Sequence, residues 1–170
     1  MAQGEFTDAI ALLKADHRKV EGLFEQFEKA TGASTKQKLC HQICTELKIH
    51  TMLEEEIFYP ALRGKIEDDT LDEAYVEHDG AKVLINDLES SGPDADFYDA
   101  KVTVLSEEIK HHVKEEEMPK EGMFAQARET DVDLVAMRDQ MLARKQELLA
   151  QAEASGLPIA KPSAVNLVTA

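Results

Sequence analysis

Four histidines interrupt four apolar helical stripes. In the first stripe, positions 10, 13, 17, 20, 24 and 27 advance by three and four residues, and position 17 is His17. The second stripe, 40, 43, 47, 50, 54, 57 and 61, contains His50 and Glu54. The third, 71, 74, 78, 81, 85 and 88, contains His78, and the fourth, 98, 102, 105, 109, 112 and 116, contains His112 and Glu116. Residues spaced in this way share one face of a helix, so these imidazoles point toward a core. In two stripes a carboxylate follows the histidine by one turn. A buried carboxylate is costly unless it is paired or bound to metal. No lysine or arginine stands on the stripes to neutralise the two of them. A cation would do so, and imidazole nitrogen with carboxylate oxygen suits iron, manganese or zinc. The candidate ligands are therefore His17, His50, Glu54, His78, His112 and Glu116.

A weak internal repeat strengthens this reading. His17 and His50 are separated by nearly the same interval as His78 and His112. The segment His50-Thr51-Met52-Leu53-Glu54-Glu55-Glu56 is similar to His112-Val113-Lys114-Glu115-Glu116-Glu117, and Asp16-His17 matches Glu77-His78. Two helix pairs about an approximate two-fold axis would place paired ligands around a shared centre. That arrangement favours two metals bridged by Glu54 and Glu116. A lone histidine on an apolar face is more often a hydrogen-bonded core residue, and a buried carboxylate can be held by salt bridges. Four equivalents on neighbouring helices shift the balance toward metal.

Other residues have weaker claims. His111 would give a five-residue spacing to Glu116, but the stripe favours His112. Glu21 follows His17 by one turn, as Lys82 follows His78; it could ligate, form an ion pair with Lys82, or lie at a solvated end. Glu55, Glu56, Glu115 and Glu117 could accept bonds from imidazole N–H groups, or simply form a solvated acidic face. Phe58 and Tyr59 read as packing near a bundle end, although Tyr59 could donate a hydrogen bond to an oxygen ligand. Cys40 reads as core filler, and two cysteines do not make a disulfide framework.

The elements that position these residues are helices. The pattern predicts a first helix over 8–29 and a second over 34–59, started by a capping box of Ser34 and Gln37 and ended or bent by Pro60. It predicts a third over 70–88, a fourth over 95–118 and a fifth over 132–154. Gly80 interrupts the third, where a missing side chain would permit close packing. No segment alternates as a strand does, so the expected fold is all-α. Residues 1–154 are expected to form the bundle and residues 155–170 a loosely docked tail.

Composition narrows the function classes. The length suits one domain with a sizeable core, and hydrophobic residues make up 43% of the chain. The net charge of -15 argues against a nucleic-acid partner, which needs a basic face. No window approaches a membrane span, and the N-terminus has no secretory pattern. A cytoplasmic location is the expectation, with no membrane or nucleic acid as partner.

Taken together, Asp16-His17, the segment His50 to Pro60, Glu77-His78 and the segment His111 to Glu117 make the chain resemble a hemerythrin-like protein of the histidine-histidine-glutamate cation-binding type. The resemblance extends from about Ile10 to Leu149. It implies an up-and-down four-helix bundle with an additional C-terminal helix. It also implies two irons per chain, oxo- or hydroxo-bridged, held by the six residues named above. The implied small ligands are dioxygen, peroxide or nitric oxide. The implied roles are binding or sensing of oxygen, nitric oxide or iron, or peroxide decomposition as an oxidoreductase. A structural bundle with a single zinc is the remaining alternative. The sequence departs from the oxygen carriers at Lys82, where they have a second histidine. It also departs at the four-residue spacing of His112 and Glu116, where they have histidine and aspartate five apart. Both departures weaken reversible oxygen carriage.

Overall fold

The computed structural model describes residues 6–168; positions 1–5 and 169–170 of the expected bundle and tail lie outside the described residues. Helix α1 spans Ala9–Lys29, with the Asp8 side chain accepting a 2.9 Å hydrogen bond from the Ala11 amide. This capping satisfies one of the amides that a helix start leaves open. Helix α2 spans Ala33–Leu53 and continues through a π-helical turn, Glu54–Phe58, into the short α3, Tyr59–Leu62. Helix α4 is Asp68–Ser90, α5 Tyr98–Glu117, α6 Met123–Arg128 and α7 Leu134–Ser155. There is no strand among the described residues.

Helix α1 packs on α2, α2 on α4, α4 on α5, and α5 back on α1, which closes a four-helix ring. Short connections make consecutive helices antiparallel. Helix α7 lies outside the ring against α1 and α2. Two apolar clusters fill the bundle. Leu12, Leu13, Leu53, Phe58, Leu62, Leu71 and Phe124 belong to one, and Val20, Phe24, Ile43, Leu47, Ile85 and Leu105 to the other. In chain order, the histidines of α1 and α4 fall between the residues of these two clusters, so the polar centre forms a layer between apolar ones.

The largest departure from the expected pattern is the π turn. The Tyr59 amide donates to the Glu54 carbonyl, five residues back rather than four. One extra residue in a turn moves everything after it around the helix axis. The stripe expected to continue through Ile57 and Ala61 is carried instead by Phe58, Tyr59 and Leu62, at 0%, 1% and 0% exposure. Pro60 follows directly and has no N–H to give to a regular helical ladder.

Smaller differences have local causes. The second helix begins at Ala33 with Gly32 as its cap and no side-chain cap bond, so the expected Ser34 capping box does not form. The third begins at Asp68, where Asp68 and Asp69 oppose the positive end of the helix dipole. The fourth begins at Tyr98, after Phe97 in a left-handed conformation with φ 62°. Gly80 faces outward, and a Cβ there would meet only Glu108 Oε2 at 3.8 Å, so no close packing depends on it. Gly122 is the glycine that matters: a Cβ would lie 2.6 Å from Met118 backbone atoms. That close approach lets α6 fold back under the end of α5.

After α7 the chain returns as an extended strap over residues 156–168. Asn86 exchanges two hydrogen bonds with the Ala160 backbone, at 2.8 and 3.0 Å. The amides of Ser163, Ala164 and Val165 all donate to the Asp79 carboxylate at 2.7 Å. The segment has no apolar period because backbone amides, which carry no sequence signature, make these contacts.

Candidate metal centre

The four helices of the ring deliver six buried side chains to one layer. His17, His50, Glu54, His78, His112 and Glu116 are each at most 6% exposed. Helix α1 supplies His17 and α4 supplies His78. Helix α2 supplies His50, and Glu54 sits where α2 passes into the π turn. Helix α5 supplies His112 and Glu116.

Their atoms form two matching groups. His17 Nε2 lies 3.1 Å from His50 Nε2, and His78 Nε2 lies 3.2 Å from His112 Nε2. Glu54 reaches both groups, with Oε1 3.3 Å from His50 and Oε2 3.2 Å from His78. Glu116 does the same in the opposite sense, with Oε2 3.3 Å from His17 and Oε1 3.5 Å from His112. Ligand atoms of His17, His50, Glu54 and Glu116 lie within 4.8 Å of one another, as do those of Glu54, His78 and His112. The approximate two-fold relation expected from the repeated segments is therefore visible in the distances.

The outer imidazole nitrogens repeat the symmetry. His17 Nδ1 meets Glu117 Oε1 at 2.7 Å, and His78 Nδ1 meets Glu55 Oε1 at 3.0 Å. His112 Nδ1 meets Glu77 Oε2 at 2.6 Å, whereas His50 Nδ1 stands 3.7 Å from Asp16 Oδ2. Three of the four rings thus set Nδ1 against a carboxylate and turn Nε2 inward, the arrangement in which imidazole ligates metal. Aromatic rings back one histidine of each group. Phe124 stacks on His17 with ring centroids 5.7 Å apart, and Tyr59 stacks on His78 at 5.4 Å.

The π turn adds a seventh side chain. Tyr59 Oη lies 3.0 Å from Glu116 Oε1, 3.2 Å from Glu54 Oε2 and 3.2 Å from His78 Nε2. A continuous α-helix would not have aimed it there. Burial raises the Tyr59 pKa well above its ordinary value, and the nearby Glu116 and Glu54 carboxylates raise it further. The phenol therefore keeps its proton.

Electrostatics explains what this layer needs. Burial works against charge on His50, yet the Glu54 and Asp16 carboxylates raise its pKa well above 6.5. Burial also opposes charge on His78, but Glu54 and Glu55 raise it to about 9. His17 is raised in the same manner by Glu116 and Glu117 against its burial. Burial would raise Glu54, but His50 and His78 hold it well below its ordinary value. Each shift shows positive charge being drawn to the carboxylates.

The donor set fits metal cations. Glu54 Oε1 and Glu116 Oε2 are buried without a hydrogen-bond partner, an expensive state in a low-dielectric interior. Both face the His17 and His50 nitrogens. The His17 and His50 Nε2 atoms are 3.1 Å apart, and two lone pairs at that distance repel unless a cation or proton lies between them. Two nitrogens with carboxylate oxygens match the preferences of iron, manganese or zinc.

His111 is 62% exposed and pairs with Glu77 and Glu115, away from the buried layer. Glu21 pairs with Arg18 at 3.2 Å and meets neither the buried cluster nor Lys82. Lys82 turns outward from the centre onto Glu55, at 2.8 Å, and Asp79, at 3.1 Å. Of the four flanking glutamates, Glu55 and Glu117 meet imidazoles, whereas Glu56 pairs with Arg144. Glu115 pairs with the exposed His111. Cys40 and Cys44 are free and buried in the apolar cluster. Sequence reasoning gave Tyr59 too small a part and assigned no role to Asp16, Glu77, Phe124 or Lys145. The duplicated Asp16-His17 and Glu77-His78 pairs were a usable signal: a residue next to a ligand points toward the neighbouring helix. Lys145 of α7 pairs with Asp16.

A cavity of about 20 Å³ adjoins the layer. All four histidines line it, together with Val20, Leu47, Thr51, Ile109 and Val113. Among the described residues, no helix is long and apolar enough to cross a membrane.

Comparison with known proteins agrees with this geometry. A DNA nickase from Nostoc sp. is 28% identical over 106 residues, covering 62% of this chain and 30% of that protein. The chain thus spans under a third of that relative's length. The crystal structure of a hemerythrin HHE cation binding domain-containing protein from Mycobacterium kansasii superposes with a TM-score of 0.72. It is 22% identical, and the match covers 89% of this chain and 96% of that one, which supports a shared fold. The family model described as Hemerythrin HHE cation binding domain matches residues 8–127. With that match over most of its length, the chain belongs to the hemerythrin HHE cation-binding domain family.

Proposed function

We propose that the chain is a non-haem di-iron protein that binds or reacts with dioxygen, peroxide or nitric oxide. One observation carries the reading: Glu54 and Glu116 each direct one oxygen to the His17–His50 group and the other to the His78–His112 group. His17 and His50 would hold one cation, His78 and His112 the other, and the two carboxylates would serve both. Iron, when bound there, supplies the electrons and Lewis acidity that such small ligands require.

The chain's own residues do the rest. Glu55, Glu77 and Glu117 fix the orientation of three imidazoles by accepting from Nδ1–H. The apolar cluster around Val20, Phe24 and Leu47 excludes bulk water from one side. The 20 Å³ cavity admits a molecule about the size of one water, which suits a diatomic ligand and excludes organic substrates. Tyr59 holds a proton at Oη, within hydrogen-bond reach of both carboxylates.

Lys82 bears on the kind of activity. Its ammonium is committed to Glu55 and Asp79, so α4 contributes one nitrogen rather than two. Fewer nitrogen ligands favour reaction over reversible carriage. Peroxide decomposition is the specific second reading, because it needs no separate electron donor. A net charge of -15 opposes contact with a phosphate backbone, so the reading does not extend to DNA.

The test is to load the anaerobic protein with ferrous iron and follow its ultraviolet–visible spectrum as dioxygen is admitted. Near-ultraviolet charge-transfer absorption that needs two irons per chain supports the proposal. Absorption that reverses when oxygen is removed indicates carriage, whereas sustained peroxide loss indicates an enzyme. No such absorption in iron-loaded protein would overturn the di-iron reading.

A further inference from the structure

We infer that the C-terminal strap is a working part of the metal centre, with Ser163 positioning His78 by holding Glu55 against its Nδ1. The inference rests on the metal-binding reading above and deepens it. Ser163 Oγ donates to Glu55 Oε2 at 2.7 Å, and Lys82 Nζ donates to Ser163 Oγ at 3.0 Å. Glu55 Oε1 in turn accepts from His78 Nδ1 at 3.0 Å. An unbroken hydrogen-bonded chain therefore runs from the strap to a buried imidazole.

The strap is held where this chain begins. Its three consecutive amides at Ser163, Ala164 and Val165 converge on Asp79, the residue next to His78. Closer to α7, the strap leaves a cavity of about 340 Å³ between itself and Lys48, Met52, Glu55, Lys82 and Ile85. Ile159, in that stretch, is 74% exposed. Apolar packing alone thus does not account for the docking, and hydrogen bonds to Asn86 and Asp79 add to it.

The two-fold relation sharpens the point. On the other side of the centre, His17 Nδ1 meets Glu117, which is held by the exposed Arg18 at 2.6 Å. No strap residue hydrogen-bonds to Glu117 among the described residues, where its partners are His17 and Arg18. The inner groups match, but their supports differ, and the strap serves the His78–His112 group alone. A carboxylate that orients a ligating imidazole affects metal affinity by about 10- to 100-fold when disturbed. By linkage, metal at that position must also favour the docked strap.

The experiment uses the full chain with ferrous iron under anaerobic conditions and a competing chelator. Ser163 is exposed, so Ser163→Ala leaves the core intact. The variant is expected to release one of two irons at a chelator concentration about tenfold lower than wild type does, while the other iron is retained as before. Ser163→Thr, which keeps the hydroxyl, is expected to restore wild-type retention. Amide exchange at residues 163–165 is expected to slow on iron loading. If Ser163→Ala retains both irons as wild type does, the inference is overturned. If wild type itself takes up no iron, the di-iron proposal fails, and the nitrogen NMR spectrum of the metal-free imidazoles decides the positioning claim separately. A shift at His78 in Ser163→Ala with His17 unchanged supports it, and unchanged His78 resonances overturn it.

Discussion

Tyr59 Oη sits 3.0 Å from Glu116 Oε1, a contact between two helices that exists because the chain takes one extra residue in the turn from Glu54 to Phe58. Tyr59→Phe keeps the ring that stacks on His78 and removes the donor. A hydrogen bond to a charged acceptor contributes about 1.5–3 kcal/mol. Denaturant unfolding of the metal-free variant is therefore expected to show a loss of that order. Iron content should remain at the wild-type level, because Tyr59 is not among the proposed ligands. An unchanged unfolding midpoint would mean that the hydroxyl does not stabilise the buried carboxylates.

Two glycines make opposite predictions. Gly122→Ala places a Cβ 2.6 Å from Met118 backbone atoms, which forces α6 away from α5. Because α6 carries Phe124, the ring stacked on His17, the change should lower both the melting temperature and metal retention. Gly80→Ala lies in the exposed interior of α4 with only ordinary contact nearby. It should raise stability by up to about 1 kcal/mol. Thermal unfolding of the two variants beside wild type checks both signs.

The pH dependence of stability should differ between metal-free and metal-loaded protein. In the metal-free chain, Glu54 and Glu55 raise the His78 pKa to about 9 against its burial. Its protonated form therefore adds stability that is complete below 6.5 and is lost as pH rises through 9. Glu54 is shifted the other way, so its contribution is present above 4.5 and lost in acid. Metal-free protein should thus be most stable between these limits and weaken toward pH 9. Metal competes with protons for the same nitrogens, so the loaded protein should gain relative stability over that interval. Melting curves from pH 5 to 9, with and without metal, would show the two profiles diverging; parallel profiles would contradict the account.

The α7 helix offers a further check. Lys145 pairs with Asp16 inside the protein, at 5% and 6% exposure respectively. Lys145→Met would leave a buried carboxylate without its partner, at a cost of about 3–5 kcal/mol. The double variant with Asp16→Asn should recover part of that loss. Denaturant titrations of the three proteins measure the difference, and equal losses in the single and double variants would place the cost in packing instead.

The sequence made the inner layer legible because its rule is periodicity. His17, His50, Glu54, His78, His112 and Glu116 each occupy a stripe position, and the stripes hold as far as Glu54. Beyond it the period breaks. A π turn is a choice among nearly equal backbone hydrogen bonds, and Pro60 alone suggested a bend rather than a rotation that brings Tyr59 inward. The outer layer was half legible: Glu55 and Glu117 were among four equivalent-looking glutamates, and only contacts across helices separate them from Glu56 and Glu115. The strap was illegible because its anchors are backbone amides on Asp79. Lys82, which reads from sequence as a missing ligand, is turned outward by Glu55 and Asp79.

The central claim is that Glu54 and Glu116 serve two cations at once, and metal stoichiometry in single-ligand variants tests it most directly. Anaerobic titration with ferrous iron should give two equivalents in wild type. His50→Ala should weaken one equivalent and spare the other, because His50 belongs to one group. Glu54→Ala should weaken both, because its two oxygens face different histidine pairs. Equal effects from the two variants, or a single equivalent in wild type, would contradict a shared carboxylate centre.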